Sequence, residues 1–521
     1  MILQKLTKSN FREIVGKKIY CVEASQSYLE EFCDAYKVQN CIERIIDNNE
    51  SKQGMLQVCG RDIPVCGVGK LLDMTDVSNL HEYAFVITGD YYREDFSWLK
   101  ENPILVENLE KVYYFANKET EYEEVFRDKY QDTPLENIII FRSGPHITSY
   151  IKGMDFTDNA RALFEYMLTK RYNQKYQLVW LVKNPSEYER FRDYENVCFL
   201  PLEWSVSDEL EERQQYYRVL CLAKYIFFTD AYGIARNCRQ DQVRVQLWHG
   251  CGYKTRLNFQ PCEKRYEYTT VTSDLYAQIH SKVFGLRSEQ MLVTGCAKQD
   301  WLFQECTGEY RKQLALPDAE KYIYWLPTYR MAADNLAQTN GYEVNPETGF
   351  PIVNTVERMQ ILNDLLSQHQ MVLVIKLHPY QSVDKIQKFR FSNIVILDNQ
   401  KLFAQDIQIN QLLSDADALI SDYSSVAIDF SLLDRPMAFL LDDVQEYTDS
   451  RGFVFNDVRA YLPGAEVYSF EELLKFVKEI ALGQDSNSAK RHKLMKVLNR
   501  YHDGNSCERI LQALDISLDE E

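Results

Sequence analysis

Short apolar runs alternate along most of this chain with longer stretches in which apolar residues recur at the spacing of a helix. Runs such as 177–182 and 372–377 are too short for buried helices and end in polar turns, which is typical of buried strands. Residues 158–170 show the helical spacing, and Asp158 or Asn159 is the expected N-terminal cap. Strands that alternate with helices predict parallel sheets packed against helices, which is the α/β class.

The predicted strands form three consecutive groups, without an internal repeat or a proline-rich linker. In chain order they lie at about 17–25, 41–49, 62–66, 84–88 and 111–115, then 137–141, 177–182, 224–229 and 243–248, then 321–326, 372–377, 394–397, 416–420 and 437–441. A chain of 521 residues is too long for one hydrophobic core. We therefore predict a small α/β domain over 1–130, followed by two Rossmann-like domains, 131–315 and 316–521, that face each other across a cleft.

The turn after the first predicted strand argues against a nucleotide site in the small N-terminal domain. Its sequence, Val22-Glu23-Ala24-Ser25, contains no glycine. A dinucleotide-binding turn needs glycine there, because a side chain would keep the backbone away from the pyrophosphate. We expect a degenerate domain with a docking or structural role.

Composition narrows the possible partners and compartments. The net charge of −18 argues against general nucleic-acid binding. The 13 cysteines include no Cys-x-x-Cys pair, so we expect reduced thiols rather than a disulfide framework or a zinc ribbon. No run approaches the ~18–20 apolar residues of a membrane span, and the N-terminus lacks the pattern of a signal peptide. A cytoplasmic protein is therefore expected.

The segment 416–430 is typical of a buried strand, a polar turn and the start of a helix. Ser424 and Ser425 stand where that helix begins, and the free N–H groups and the dipole of a helix start favour a phosphate. Such a site lies at the carboxyl end of a strand, where open α/β sheets bind ligands. The alternative is a capped helix without a ligand. We expect Asp422 to orient a ligand hydroxyl or cap the helix, and Asp429 to reach a ribose or hold the helix by packing.

Two histidines follow predicted strands at parallel positions of the second and third groups. His249 comes directly after 243–248, and His378 comes directly after 372–377. Histidine is the side chain best suited to proton transfer near neutral pH. Gly250 lets the backbone turn sharply after His249. Because both strand ends are predicted to open into the cleft, we expect catalytic roles, with structural hydrogen bonds as the alternative.

Two arginines are candidates to neutralise a phosphate. Arg330 follows the predicted strand 321–326, and Arg451 lies in a polar segment further on. A guanidinium binds phosphate in a bidentate manner, and a surface ion pair is the alternative for each. The sequence contains no Walker phosphate loop, nucleophile elbow, HExxH motif or zinc-ligand cluster. The spaced carboxylates Asp415 and Asp417 precede their strand, so we expect no metal site.

Several short motifs occur in a fixed order between about residues 136 and 480. They are Phe141-Arg142-Ser143 with Asp158-Asn159 and Phe164-Glu165-Tyr166, Gln246-Leu247-Trp248-His249-Gly250 with Lys254, Thr294-Gly295 with Asp300 and Leu302, Leu326-Pro327-Thr328-Tyr329-Arg330, Lys376-Leu377-His378-Pro379, Ser421-Asp422-Tyr423-Ser424-Ser425, Arg451-Gly452-Phe453 and Pro463-Gly464. Each motif is weak alone. In this order the set resembles the CDP-glycerol glycerophosphotransferases and related polyol-phosphate polymerases of teichoic-acid and capsule synthesis.

The chain departs from the pattern of that family at three places. Lys376 stands where the family often has arginine, and Lys298 ends a run that in the family usually ends in Pro-Arg. The segment after the first histidine is also changed, to Cys251-Gly252-Tyr253. These departures concern the acceptor and the polyol more than the type of reaction.

The resemblance implies two Rossmann-like domains of the GT-B type, with a CDP-activated donor bound mainly by the C-terminal one and no separate cofactor. It implies transfer of a polyol phosphate, most of all glycerol phosphate, to a hydroxyl of a lipid-linked or polymeric acceptor at the cytoplasmic face of the membrane. CMP is released, His249 is the general base, and His378 stabilises the leaving CMP. The implied donor contacts are Ser424, Ser425, Asp422, Arg330, Arg451 and Thr328, with Gly250, Lys376 and Asp429 as further candidates.

Three other functions share part of this pattern. A GT-B glycosyltransferase has the same fold and cleft but transfers a sugar from a nucleotide sugar. A nucleotide-sugar 2-epimerase also has two facing domains, and it needs acidic residues around the sugar that the sequence does not place. A catalytically inactive scaffold would dock partners through residues 1–130, and the intact pair of His249 and His378 argues against it.

Overall fold

The computed structural model of the chain describes residues 1–23, 26–47, 53–75, 77–89, 91–144, 152–229, 232–235, 239–254, 266–305, 307–327, 347–377, 390–450 and 452–518. Over these residues the chain forms three sheets, of seven, seven and six strands. Apolar core clusters lie on both faces of each sheet, because both sets of alternating side chains along the strands are buried. The predicted α/β class is confirmed.

The first sheet is N-terminal. Its strands are β1 (Ile2–Lys5), β2 (Lys18–Val22), β3 (Ile42–Ile46), β4 (Gly54–Val58), β5 (Arg61–Cys66), β6 (Tyr83–Ile87) and β7 (Lys111–Tyr114), in the spatial order β1-β7-β6-β2-β3-β5-β4. Its helices are α1 (Gln26–Tyr36), α2 (Val68–Met74), α3 (Tyr92–Leu99), α4 (Pro103–Asn108) and α5 (Lys118–Tyr130). β4 pairs antiparallel with β5, and the other neighbours are parallel. β1 and β4 were not predicted, because these edge strands are exposed or half-buried over most of their length and lack a buried apolar run.

The second sheet follows directly. Its strands are β8 (Glu136–Ser143), β9 (Gln177–Val182), β10 (Val197–Pro201), β11 (Ala223–Thr229), β12 (Val243–Gln246), β13 (Tyr268–Val271) and β14 (Met291–Val293), in the order β10-β9-β8-β11-β12-β13-β14. Its helices are α6 (Asp158–Thr169), α7 (Leu210–Leu222), α8 (Asp274–Phe284) and α9 (Glu309–Gln313). All of its neighbouring strands are parallel.

The third sheet has the order of a doubly wound α/β sheet. Its strands are β15 (Lys321–Trp325), β16 (Met371–Lys376), β17 (Ile394–Leu397), β18 (Ala418–Ser421), β19 (Met437–Leu440) and β20 (Ala465–Val467), in the order β17-β16-β15-β18-β19-β20. The helices that follow are α10 (Val356–Gln368), α11 (Asn399–Ala404), α12 (Ile409–Leu413), α13 (Val426–Phe430), α14 (Val444–Ser450), α15 (Phe470–Ala481), α16 (Ser488–Leu498) and α17 (Ser506–Ala513). The strand order reverses between β15 and β18, so this point is where such sheets bind ligands.

The last helix returns to the second sheet. Cys507, Ile510 and Leu511 of α17 belong to the same buried cluster as side chains of β8 and β9. The Asp300 carboxylate accepts the N–H groups of Ser506 at 2.7 Å and Cys507 at 2.8 Å, so it caps α17 from another element. The strands predicted over 316–521 therefore form the third sheet, while α17, the last helix of that range, packs against the second sheet.

The second and third sheets are also joined by polar contacts. Gln408, which precedes α12, accepts hydrogen bonds from the Thr157 hydroxyl at 2.5 Å and the Asp158 N–H at 3.1 Å. The buried Arg161 of α6 forms an ion pair with Asp406, at 2.7 Å. These contacts bring the start of α6 against the segment that leads into β18.

Candidate active site

The loop after β12 carries His249 on a backbone that two special residues shape. Trp248 has a φ of +49° and Gly250 a φ of +115°, so the chain turns sharply on both sides of the half-buried His249. The Asn159 amide donates to the carbonyl oxygens of Leu247 at 3.2 Å and Trp248 at 2.7 Å. The turn is thus held by α6, and β12 ends earlier than the predicted run 243–248.

Lys298 holds the next carbonyl of this loop. Its ammonium donates to the His249 carbonyl oxygen at 2.7 Å and pairs with the Asp158 carboxylate at 3.1 Å. Burial acts to lower the pKa of Lys298, but the nearby carboxylates of Asp158 and Asp429 outweigh it and hold that pKa above its ordinary value. A charged amine therefore lies directly behind the backbone of His249.

The prediction that Asp158 or Asn159 caps the N-terminus of α6 was wrong. The N-cap position is Thr157, without a capping hydrogen bond from its side chain, and Asp158 has a left-handed φ of +62°. Asp158 pairs instead with Lys298, and the Asn159 amide is engaged by the loop after β12. Both side chains bond to distant parts of the chain instead of capping the N-terminus of α6.

The strand β18 and the helix α13 present the predicted serine turn. The Asp422 carboxylate accepts the Tyr423 N–H at 2.6 Å, and its side chain is fully buried. Ser425 occupies the N-cap of α13, and its hydroxyl makes no capping hydrogen bond. Both Ser424 and Ser425 are half-buried. α13 ends at Phe430, and a 3-10 turn over Ser431–Leu433 follows it.

The loop after β12 and the serine turn meet directly. A Cβ atom placed on Gly250 would lie 3.7 Å from the Ser425 hydroxyl oxygen and 3.8 Å from the Lys298 ammonium nitrogen. A Cβ atom on Gly252 would lie 3.4 Å from the Ser425 Cβ. The structure therefore brings the loop that carries His249 against Ser425 of the serine turn, although about 175 residues separate them in sequence.

Asp429 lies in a buried polar network next to this contact. Gln299 donates to one carboxylate oxygen at 2.8 Å and Asn410 to the other at 3.3 Å. Gln299 also donates to Asn499, at 3.1 Å. Burial raises the pKa of Asp429, and the nearby Lys298 opposes that rise. These bonds tie α13 to the second sheet and to the C-terminal segment.

Adjacent strands of the third sheet end at one edge. In the ladder Ile375 pairs with Trp325, which pairs in turn with Ile420. Lys376 and Ser421 each lie one residue further, at the same level and roughly 10 Å apart across two strand spacings. Lys376 is partly exposed, and burial lowers its pKa to about 8. A lysine cation is therefore present at this edge at neutral pH.

Four of the predicted site residues, His378, Thr328, Arg330 and Arg451, lie outside the described residues. The strands that precede the first three, β15 and β16, are adjacent in the sheet, and their carboxyl ends face the same edge as the serine turn.

The roles of Lys298, Gln299 and Asn159 were not predicted, because their contacts join distant parts of the chain. The departure from the family pattern at Lys298 was the one available signal. Within the described ranges no group of three or more histidine, cysteine or acidic side chains is arranged to hold a metal ion. None of the helices seen there combines the length and the apolar composition needed to cross a membrane.

Comparison with protein families gives a match over more than half of the chain. A family model described as CDP-Glycerol:Poly(glycerophosphate) glycerophosphotransferase matches residues 136–515. The region that it covers includes the second sheet, the third sheet and α17.

Curated relatives are similar at low identity. The teichoic acid glycerol-phosphate primase of Bacillus subtilis (strain 168) is 26% identical over 387 residues, covering 70% of this chain and 90% of that protein. The teichoic acid ribitol-phosphate polymerase TarL of Staphylococcus aureus (strain NCTC 8325 / PS 47) is 24% identical over 318 residues, covering 56% of this chain and 51% of TarL. This chain thus spans about half the length of TarL and 60% of that of the related polymerase TarK.

A solved structure of the wall teichoic acid polymerase TagF has a similar fold. It superposes with a TM-score of 0.56 at 18% identity, covering 82% of this chain and 97% of that chain. At this identity the likeness concerns the fold alone.

Proposed function

Because the chain belongs to the CDP-glycerol:poly(glycerophosphate) glycerophosphotransferase family, we propose that it transfers a polyol phosphate from a CDP-activated donor to a hydroxyl acceptor. The observation that carries this proposal is the contact of the His249 loop with Ser425 at the carboxyl end of β18. A proton acceptor and a phosphate-binding turn thereby share one site. Glycerol phosphate is the preferred group, and ribitol phosphate is the alternative, since relatives are named for each.

In the proposed architecture, two Rossmann-like domains of the GT-B type face each other behind an accessory domain. Their boundaries are 1–130, 131–315 and 316–521, with α17 returning to the middle domain. The polar contacts between α6 and the segment before α12 support a close approach of the last two domains. We place the donor mainly on the third sheet, at its switch point.

The proposed reaction is an attack of the acceptor hydroxyl on the donor phosphorus that carries the polyol. His249 takes the hydroxyl proton, the new P–O bond forms, and the bond to the bridging oxygen breaks, so that CMP leaves. His378 stabilises the leaving phosphate. The donor is held by Ser424, Ser425, Asp422, Thr328, Arg330, Arg451 and Lys376, while Gly250 leaves room for it. Asp429 is buried and accepts hydrogen bonds from Gln299 and Asn410, which favours a structural role, so we assign it no donor contact.

Ser425→Ala is expected to raise the KM for the donor by about 10–100-fold, because a hydrogen bond to a charged group contributes about 1.5–3 kcal/mol. Steady-state kinetics of CMP release measure this change. Ser469→Ala is the matched control, since Ser469 caps the remote helix α15 and its loss affects stability rather than donor binding. An unchanged KM in Ser425→Ala would remove this hydroxyl from the donor site.

Donor binding is expected to weaken as the pH rises through about 8, the pKa of Lys376. Lys376 is a cation below that pH and neutral above it, so its attraction for the diphosphate is present at low pH and lost at high pH. The KM for the donor should rise about tenfold between about pH 7 and pH 9, following the protonated fraction. In Lys376→Arg the guanidinium stays charged throughout, and the rise should disappear. A rise of equal size in both proteins would assign it to another group.

The acceptor is proposed to be lipid-linked or polymeric, in teichoic-acid or capsule synthesis, with the protein peripheral at the cytoplasmic face of the membrane. A nucleotide-sugar glycosyltransferase is the competing function. Calorimetric titration with CDP-glycerol, CDP-ribitol and UDP-N-acetylglucosamine tests the donor class. Binding of a CDP-polyol alone supports the proposal, whereas binding of the UDP-sugar alone would contradict it.

A further inference from the structure

Lys298 is a buried cation whose ammonium contacts two other segments of the chain. The residue is only 8% exposed, and lysine is rarely buried unless it is paired, because removing its charge from water is costly. The pairing partner, Asp158, comes from α6, and the carbonyl that it binds belongs to His249. The charge therefore lies at the junction of three segments rather than within one element.

Lys298 and Asn159 together fix three consecutive carbonyl groups. Asn159 holds those of Leu247 and Trp248, and Lys298 holds that of His249. The Lys298 N–H in turn donates to the Asn159 side-chain oxygen at 3.0 Å, which fixes the orientation of that amide. The backbone of residue 298 thus orients Asn159, while the Lys298 ammonium holds the His249 carbonyl, so the turn that carries the imidazole has its carbonyls held by two side chains.

We propose that Lys298 is a positioning residue for the proposed general base: by holding the His249 carbonyl, it fixes the imidazole relative to the serine turn. This inference rests on the proposed function. A displacement of about 1 Å in a reacting group can lower a rate about 100-fold, so a single hydrogen bond to this backbone is sufficient for a large kinetic effect. A Cβ atom built on Gly250 would lie within van der Waals distance of both the Lys298 ammonium and the Ser425 hydroxyl, so the loop lies between these two groups.

The competing explanation is a purely structural ion pair with Asp158. Two substitutions separate the explanations. Both break the ion pair between Lys298 and Asp158, but only one of them removes the hydrogen bond to His249. Lys298→Met also removes the donor to His249, whereas Asp158→Asn keeps that donor and an oxygen to accept from it. Asparagine tolerates the left-handed φ of +62° at position 158. A third variant, Lys298→Arg, keeps a charged donor.

Lys298→Met is expected to lower kcat about 100-fold while the KM for the donor changes less than about threefold. Asp158→Asn should keep kcat within about threefold of the wild type, although its melting temperature falls as much as that of Lys298→Met. Lys298→Arg should keep at least about a tenth of kcat, because the guanidinium can donate to the same carbonyl. Equal losses of kcat in Lys298→Met and Asp158→Asn would overturn the positioning role.

Hydrogen–deuterium exchange of residues 247–252 in the full-length protein provides a readout that needs no activity. Faster exchange in Lys298→Met than in Asp158→Asn supports the role, and equal exchange overturns it. If the wild type released no CMP from either CDP-polyol, the proposed function would fail, while the exchange comparison would still decide whether Lys298 fixes this loop.

Discussion

Replacement of His249 with alanine is expected to lower the rate of CMP release by about 10²–10⁴-fold, the loss typical of a missing general base. The donor KM should change little, because the proposed donor contacts lie on the third sheet and His249 lies on the loop after β12. The melting temperature should also change little, since the imidazole is only half-buried. Initial rates at saturating donor and acceptor measure the effect.

His81→Ala is the control for this substitution. His81 is exposed in the first sheet region and bonds the Ser78 carbonyl, so its loss removes a histidine far from the serine turn. The control should retain full activity. A His249→Ala protein that kept more than about a tenth of the wild-type kcat would show that another group accepts the proton.

Gly295→Ala is expected to lower the free energy of unfolding strongly. Gly295 has a φ of +84°, and a Cβ atom there would overlap the Ser506 hydroxyl and lie 3.1 Å from the Gln299 side-chain oxygen. Ser506 begins α17, so the added methyl group pushes the C-terminal helix away from the second sheet. The left-handed backbone costs about 1–2 kcal/mol and the overpacking about 1–3 kcal/mol more. Thermal and denaturant unfolding measure the sum.

Gly308→Ala separates the two costs. Gly308 has a φ of +69°, and no atom lies within 4 Å of a Cβ atom built there. It should therefore show the backbone cost without the overlap, and be less destabilised than Gly295→Ala. Limited proteolysis should release the C-terminal segment in Gly295→Ala alone. Equal destabilisation of both variants would mean that α17 moves aside without loss.

The central strands of the second and third sheets were predictable from the sequence, because each is a continuous apolar run. The runs that became β9 and β16 are buried on both faces and read as continuous apolar segments. The short strands β13, β14 and β20 were missed, because three or four residues carry too little pattern. The return of α17 to the second sheet was also missed, since it depends on Asp300 and Gly295, two residues that sequence assigned only to a family motif.

The sequence predicted that His249 and Ser425 follow strands, but it did not predict the contacts that hold the loop of His249 in place. His249 and Ser425 follow strands, and parallel strands present their carboxyl ends at one edge. The contacts of Lys298 join residues that are 49 and 139 positions apart. Neither local propensity nor spacing reports such contacts. The same limit explains the wrong cap at Asp158, whose partner is supplied by a distant turn.

The nucleotide product tests the central claim most directly. Attack at the phosphorus that carries the polyol releases CMP, whereas transfer of a sugar from a nucleotide sugar releases a nucleoside diphosphate. Purified protein should be incubated with CDP-glycerol or CDP-ribitol and a polyol-phosphate acceptor, and the nucleotides resolved by ion-exchange chromatography. The proposed mechanism predicts acceptor-dependent CMP that is lost in His249→Ala. A parallel incubation should contain UDP-N-acetylglucosamine in place of these donors. Release of UDP there, with no CMP from either CDP-polyol, would contradict the mechanism.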